Sequence, residues 1–186
     1  KKAYHPCISN KIVTNDVDMS NNKIITGPNA AGKTTLLKTT VINVLLSQQI
    51  GYGFCSGGIL TPFDYIHCYL NIPDTNGRDS LFQAEARRCS NILNFIETHK
   101  KAKHFCIFDE LFSGTNPYEA VATAYGYLNH IRGNSNIRFM LTTHYIRLCK
   151  LFNNTKNIEN NNMETKLIED EPQYSYKIVK GISKIK

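Results

Sequence analysis

The sequence predicts an α/β domain with a mostly parallel central sheet flanked by helices and an additional antiparallel β part. Three observations lead there. Strand-like and helix-like stretches alternate along the chain, as crossover units require. His104-Phe105-Cys106-Ile107-Phe108 is apolar without alternation, the pattern of a strand buried on both faces. A glycine-rich octet, Gly27 to Thr34, lies between a strand candidate and a helix candidate.

The elements follow in order. Residues 1–22 read as an irregular or β-rich lead-in, and Lys23 to Thr26 as a short strand. Thr34 to Gln49 reads as a helix, because Leu36, Leu37, Val41, Val44 and Leu45 recur at helical spacing. Gly51 to Asp79 is punctuated by glycine and proline, with a β-like patch from Tyr65 to Leu70. Ser80 to His99 reads as a second helix, with Phe82, Ala86, Cys89, Leu93 and Ile96 on one face. After the apolar strand, a third helix opens where Asn116 can cap, Pro117 takes the first position and Glu119 can reach back as in a capping box. It runs to about His130. Arg138 to Thr143 reads as a strand and Tyr145 to Phe152 as a short helix. The asparagine-rich stretch Asn153 to Thr165 reads as a mobile surface loop. Two short strands follow, Lys166 to Ile168 and Tyr174 to Val179.

The totals narrow the class. The chain has 186 residues, 41% hydrophobic and 20% charged, which suits one domain with a sizeable core. No apolar run approaches the ~18 residues of a membrane helix, no signal peptide opens the chain, and no membrane role is expected. The sequence starts without methionine and stops after a lysine-rich stretch, so both ends read as cuts through a longer multidomain protein. None of the six cysteines forms a Cys-x-x-Cys pair, which speaks against a zinc knuckle and fits a reducing intracellular compartment. The net charge of +7 permits attraction to nucleic acid, or is merely the charge of a cut-out domain.

Gly27-Pro28-Asn29-Ala30-Ala31-Gly32-Lys33-Thr34 fits Gly-x-x-x-x-Gly-Lys-Thr in full, with Thr35 next. Glycines let successive N–H groups turn toward phosphate oxygens, and the following helix adds its positive end. Lys33 can then neutralise β- and γ-phosphates of ATP, and the Thr34 hydroxyl can ligate Mg²⁺. Asp109-Glu110 closes the apolar strand about 75 residues further on and precedes Ser113-Gly114-Thr115. Asp109 would hold Mg²⁺ and Glu110 would polarise the attacking water. His144, after a strand, can sense a γ-phosphate or be structural. Ser80, opening a helix, can face an anion or serve only as an N-cap.

Taken together these blocks resemble the ATPase domain of the MutS family, over nearly the whole chain. Tyr4-His5-Pro6, Val13-Thr14-Asn15-Asp16, the Gly27-Pro28-Asn29 opening, Gln49-Ile50-Gly51 and Pro62 to Ile66 are similar to family segments in the same order. So are Gly77-Arg78 with Ser80-Leu81-Phe82, Asp109-Glu110-Leu111, Gly114-Thr115, Tyr118, Thr142 to Tyr145, and Tyr176-Lys177-Ile178 with Gly181. The resemblance implies an ABC-type P-loop NTPase fold working as a homodimer or MutS-like heterodimer. Lys33, Thr34, Asp109, Glu110 and His144 would act in cis, Ser80 would complete the partner's site in trans, and Ile12, Val13 and Asn15 would lie near the adenine. DNA would be reached through domains outside this chain, in mismatch or damage repair. The sequence departs from the family at Ala30-Ala31, at Asp79, which intrudes before Ser80, and at Asn71 to Asn76.

Other classes remain to weigh. An ABC-type ATPase of chromosome maintenance would carry a long coiled coil between the two motifs, and only a short helical segment intervenes. A transporter subunit would carry Leu-Ser-Gly-Gly-Gln, which is missing. A non-catalytic, nucleotide-dependent dimerisation module would bind without turnover. For the basic tail Lys177 to Lys186, a solvated strand edge is favoured over DNA contact.

Overall fold

The computed structural model describes residues 1–70, 80–169 and 171–184. In chain order the elements are β1 (Asn22–Thr26), α1 (Lys33–Ile50), β2 (Tyr65–Tyr69), α2 (Leu81–Thr98), β3 (His104–Asp109), α3 (Pro117–Ile131), β4 (Ile137–Thr142), α4 (Ile146–Leu151), β5 (Ile158–Ile168) and β6 (Glu171–Lys180). The described strands form one six-stranded sheet of order β2-β3-β4-β1-β5-β6. Every neighbouring pair is parallel except the antiparallel β5–β6 pair. The expected α/β class with its antiparallel part is therefore the observed one.

Alternation along the central strands divides the core into two layers. Ile24, Cys106, Phe108, Phe139 and Leu141 face α2, α3 and α4, where they meet Cys89, Ile96, Val121, Leu128 and Phe152. Ile25, Phe105, Ile107 and Met140 face the other way and pack on Leu36, Leu37 and Val41 of α1. Both faces are thus apolar, which is why β3 shows no polar alternation. Each fully buried aromatic of this kind stabilises the fold by about 1.5–3 kcal/mol.

The sequence reading misses one region. Residues 153–165, expected as a mobile loop, contain most of β5, whose first five residues, Ile158 to Asn162, pair with β1. The reason is a buried cation. Lys23 on β1 is 4% exposed and needs acceptors on its own sheet face. Glu159 lies 3.1 Å and the Asn161 side-chain oxygen 3.4 Å from its Nζ. Asparagines here are thus sheet residues with partners: Asn160 donates to the Cys149 carbonyl and Asn162 to that of Gly181. The following turn is also shorter than expected, since β6 already begins at Glu171.

The starts of α2 and α3 are capped by side chains. The Asn116 carboxamide oxygen accepts from the Tyr118 and Glu119 amides, while Glu119 turns to the Thr115 hydroxyl instead of closing a capping box. The capping box is at α2: the Ser80 hydroxyl accepts from the Gln83 amide, and the Gln83 side chain accepts from the Ser80 amide. The segments Asn71 to Asn76, Gly77-Arg78 and Asp79 lie outside the described residues.

Candidate active site

The octet 27–34 connects β1 to α1, and the helix start differs from the two just described. Its N-cap is Gly32 at φ 91°, a left-handed conformation that glycine adopts without steric cost. No side chain caps the helix and no acid sits in its first turn. The N-terminal N–H groups of an 18-residue helix are therefore left for a ligand, and they favour an anion. Gly32 has a second constraint, because a Cβ there would come 3.1 Å from the Tyr176 ring.

Lys33 is buried at the base of this loop. Its ammonium donates to the Gly27 carbonyl at 2.8 Å and the Pro28 carbonyl at 3.2 Å, and stands 3.5 Å from Glu110. The Thr34 hydroxyl donates to Asp109 Oδ2 at 2.8 Å. The Thr142 hydroxyl donates to Asp109 Oδ1. Thus Asp109 is held from α1 and from β4. Two adjacent hard oxygen donors suit a cation such as Mg²⁺, which accepts few protein ligands and keeps water on the rest of its sphere.

Glu110 sits one residue past β3 at φ 53°, an uncommon conformation for a non-glycine residue. Its amide donates to the Thr142 carbonyl, which continues the β3–β4 ladder for one more bond while the side chain turns away. The His144 ring nitrogen lies 3.8 Å from the other Glu110 oxygen, beyond hydrogen-bond length but within charge contact. The neighbouring His144, more than the Lys33 ammonium, holds the Glu110 carboxyl below its ordinary range against its partial burial.

A cavity of about 610 Å³ opens above the loop, within the size range of small-ligand sites. Pro28, Asn29, Ala30, Gly32, Lys33, Thr34 and Thr35 form its floor. Ile12, Val13, Asn15, Met163, Tyr176 and Glu110 also line it. Gly27 and Ala31 support the loop from the buried side. A smaller cavity of about 340 Å³ adjoins it, with Thr34 and Glu110 common to both and Asp109, Glu85 and Tyr69 added. His144 lines neither cavity and reaches the site through Glu110. Ser80 is exposed, caps α2 and also lines neither.

Residues 23–186 match the family described as MutS domain V. The chain belongs to the MutS family. It is similar to the protein named Endonuclease MutS2 from Staphylococcus aureus, 32% identical over 188 aligned positions that cover 97% of this chain and 25% of the relative. The same name is carried by a relative in Staphylococcus aureus strain MRSA252, at 32% identity with 97% and 23% covered, and in Staphylococcus carnosus, at 31% with the same coverage. The chain thus spans about a quarter of the length of the curated relatives it matches, and corresponds to the family's C-terminal ATPase domain. Among the described residues of this MutS-family domain, no helix is long and apolar enough to cross a membrane.

The sequence reading did not assign Tyr176, Met163 or Glu85 to the site. Tyr176, quoted only for resemblance, stands at φ 57° on an edge strand. Asn15 holds that strand: its side chain donates to the Tyr176 carbonyl and accepts from the Ile178 amide at 2.9 Å each. Asn15 therefore lines the cavity while its amide group is engaged with β6. A register irregularity between Met163 and Thr165 accompanies the bend. No periodicity in the sequence signals it, because bulges break the period that such reading depends on.

Proposed function

We propose that this domain binds and hydrolyses ATP with Mg²⁺, in a MutS-type dimer whose two sites are each completed by the partner's Ser80. The observation that carries the reading is the convergence on one 610 Å³ cavity of an uncapped helix N-terminus, a buried lysine and Glu110. The triphosphate lies along the Gly27–Thr34 loop. Lys33 leaves the Gly27 and Pro28 carbonyls, which satisfy it otherwise, for the β- and γ-phosphate oxygens. Thr34 and Asp109 hold Mg²⁺, which when bound withdraws charge from those oxygens. Glu110 orients the attacking water and takes its proton, and His144 holds Glu110 in the ionised form this requires. The base lies between Ile12 and Val13 on one side and Tyr176 on the other.

In this reading the domain belongs to a longer protein. ATP binding closes the dimer, and hydrolysis resets DNA-bound parts beyond these residues, in mismatch or damage repair. The relatives' name, endonuclease, supports nucleic acid as the polymer acted on. The test is Mg²⁺-dependent ATP hydrolysis per protomer as chain concentration rises, with Lys33→Ala as control. Specific activity that climbs with concentration and vanishes in the variant is expected. Activity indifferent to Lys33→Ala would sink the proposal, and activity from a proven monomer would sink the trans assignment.

A further inference from the structure

Glu85 is an acid on α2 with only 2% of its surface exposed, and the chemistry described above leaves it without a role. Both its oxygens are engaged by the turn after Glu110. Oε1 accepts from the Ser113 amide at 3.0 Å and the Ser113 hydroxyl at 3.1 Å, and Oε2 accepts from the Gly114 amide at 3.1 Å. Two further contacts tie the same pieces together. The Phe82 and Phe112 rings meet at 5.8 Å. Gly114 lies so close to α2 that a Cβ there would fall 2.6 Å from Leu81 Cγ and 2.9 Å from the Phe82 amide nitrogen. All these contacts fall within the first five residues of α2, immediately behind Ser80.

These contacts tie the start of α2 and the Phe112–Gly114 turn into one piece. That piece joins two sites that the dimer keeps apart: Glu110 serves its own protomer, and Ser80 serves the partner. We propose that Glu85 is a positioning residue acting in trans. It fixes the Ser80 end of α2 to the turn that follows the acids, so that each protomer's Ser80 is presented to its partner in step with the protomer's own site. The inference rests on the ATPase reading above. A carboxylate suits the task because it accepts on both oxygens, whereas a carboxamide would set its NH₂ against an N–H or O–H donor.

The test compares Glu85→Gln with wild type in nucleotide binding and steady-state ATP hydrolysis, alone and mixed with Lys33→Ala chains. Nucleotide binding is expected to persist, while kcat falls roughly 10- to 100-fold, the scale on which misplacing a catalytic group acts. Mixing with Lys33→Ala, itself inactive, is expected to restore turnover above the sum of the two. A mixed dimer pairs the intact Lys33 and Glu110 of one chain with a properly held Ser80 from the other. Gly114→Ala, which pries the same contact apart by bulk, is expected to show the same loss and the same rescue. Ser113→Ala removes one hydrogen bond of three and keeps the fold, so it decides the matter if Glu85→Gln fails to fold; a smaller loss with rescue is expected. An unchanged kcat overturns the proposal, and so does a loss that mixing does not relieve, since Glu85 would then act on its own protomer's acids. A wild-type chain that hydrolyses no ATP defeats the ATPase reading itself, a different outcome from a wild-type chain that is active and indifferent to Glu85.

Discussion

The two halves of the sheet are built from different residues and contribute differently to one cavity. In β3 and β4, Phe105, Ile107, Phe108, Phe139, Met140 and Leu141 are fully buried. In β5 the buried residues are Asn161 and Met163, and its far end leaves Leu167 57% exposed. The parallel half ends in Asp109, Glu110 and His144, groups that need fixed geometry. The β5–β6 half offers the cavity only Met163 and Tyr176, groups that need surface contact. Rigid packing stands behind the proposed chemistry, and a lightly buried, hydrogen-bonded hairpin stands behind the proposed fit. Each half can be broken separately.

The largest effect is expected at the parallel half's carboxyl edge. Glu110→Gln keeps the shape and removes the proposed base, so kcat is expected to fall by about 10²–10⁴-fold, with ATP still bound. Steady-state hydrolysis beside equilibrium nucleotide binding checks it. Turnover close to wild type would place the chemistry elsewhere. For stability, Phe108→Ala in the fully buried run of β3 is expected to cost about 3–5 kcal/mol, while Leu167→Ala at the hairpin's exposed end stays within about 0.5 kcal/mol. Urea unfolding of both variants measures the contrast, and similar losses would erase the distinction between the halves.

The same contrast explains what the sequence made legible. β3 was readable because burial on both faces leaves no choice but apolar residues, and Asp109-Glu110 at its end stands out against them. The Gly27–Thr34 loop was readable because its tight turn into α1 puts Gly27 and Gly32 at positive φ, which restricts the residue types. β5 was not readable: its inward positions are filled by Glu159 and Asn161 to answer Lys23 on β1, so polarity there means pairing across the sheet, not exposure. Glu85 was hidden likewise. A single acid on an amphipathic helix looks like a solvated residue until the Ser113–Gly114 turn is seen folded over it. Ser80 was legible as a cap, and the Ser80–Gln83 capping box bears that out.

A smaller effect is expected where the hairpin meets the cavity. The Tyr176 ring lies beside Gly32 and lines the same cavity as Ile12 and Val13. Stacking of a base on an aromatic ring contributes about 1–3 kcal/mol. Tyr176→Ala is therefore expected to raise KM for ATP by roughly tenfold, equivalent to about 1.4 kcal/mol, while kcat changes little. Tyr176→Phe should behave as wild type. A fall in kcat at unchanged KM would mean that the hairpin takes part in the chemistry, and the division of labour would fail.

The smallest expected effect concerns acid titration at the boundary between chemistry and scaffold. Glu110 is held below the usual 4.5, first by His144 and further by Lys33, against its partial burial. A carboxyl depressed in the folded state adds stability above its unfolded pKa and loses it as pH falls through the lower folded value. His144→Ala removes the largest cause but leaves the ammonium of Lys33 at 3.5 Å. Glu110 should then titrate closer to 4.5 without returning fully, and the acid limb of kcat/KM should move to higher pH. Acid unfolding should also begin at a higher pH, and Leu167→Ala should move neither curve. An acid limb that stays in place while kcat falls across the whole pH range would instead mean that His144 acts on the nucleotide directly, with its contact to Glu110 incidental.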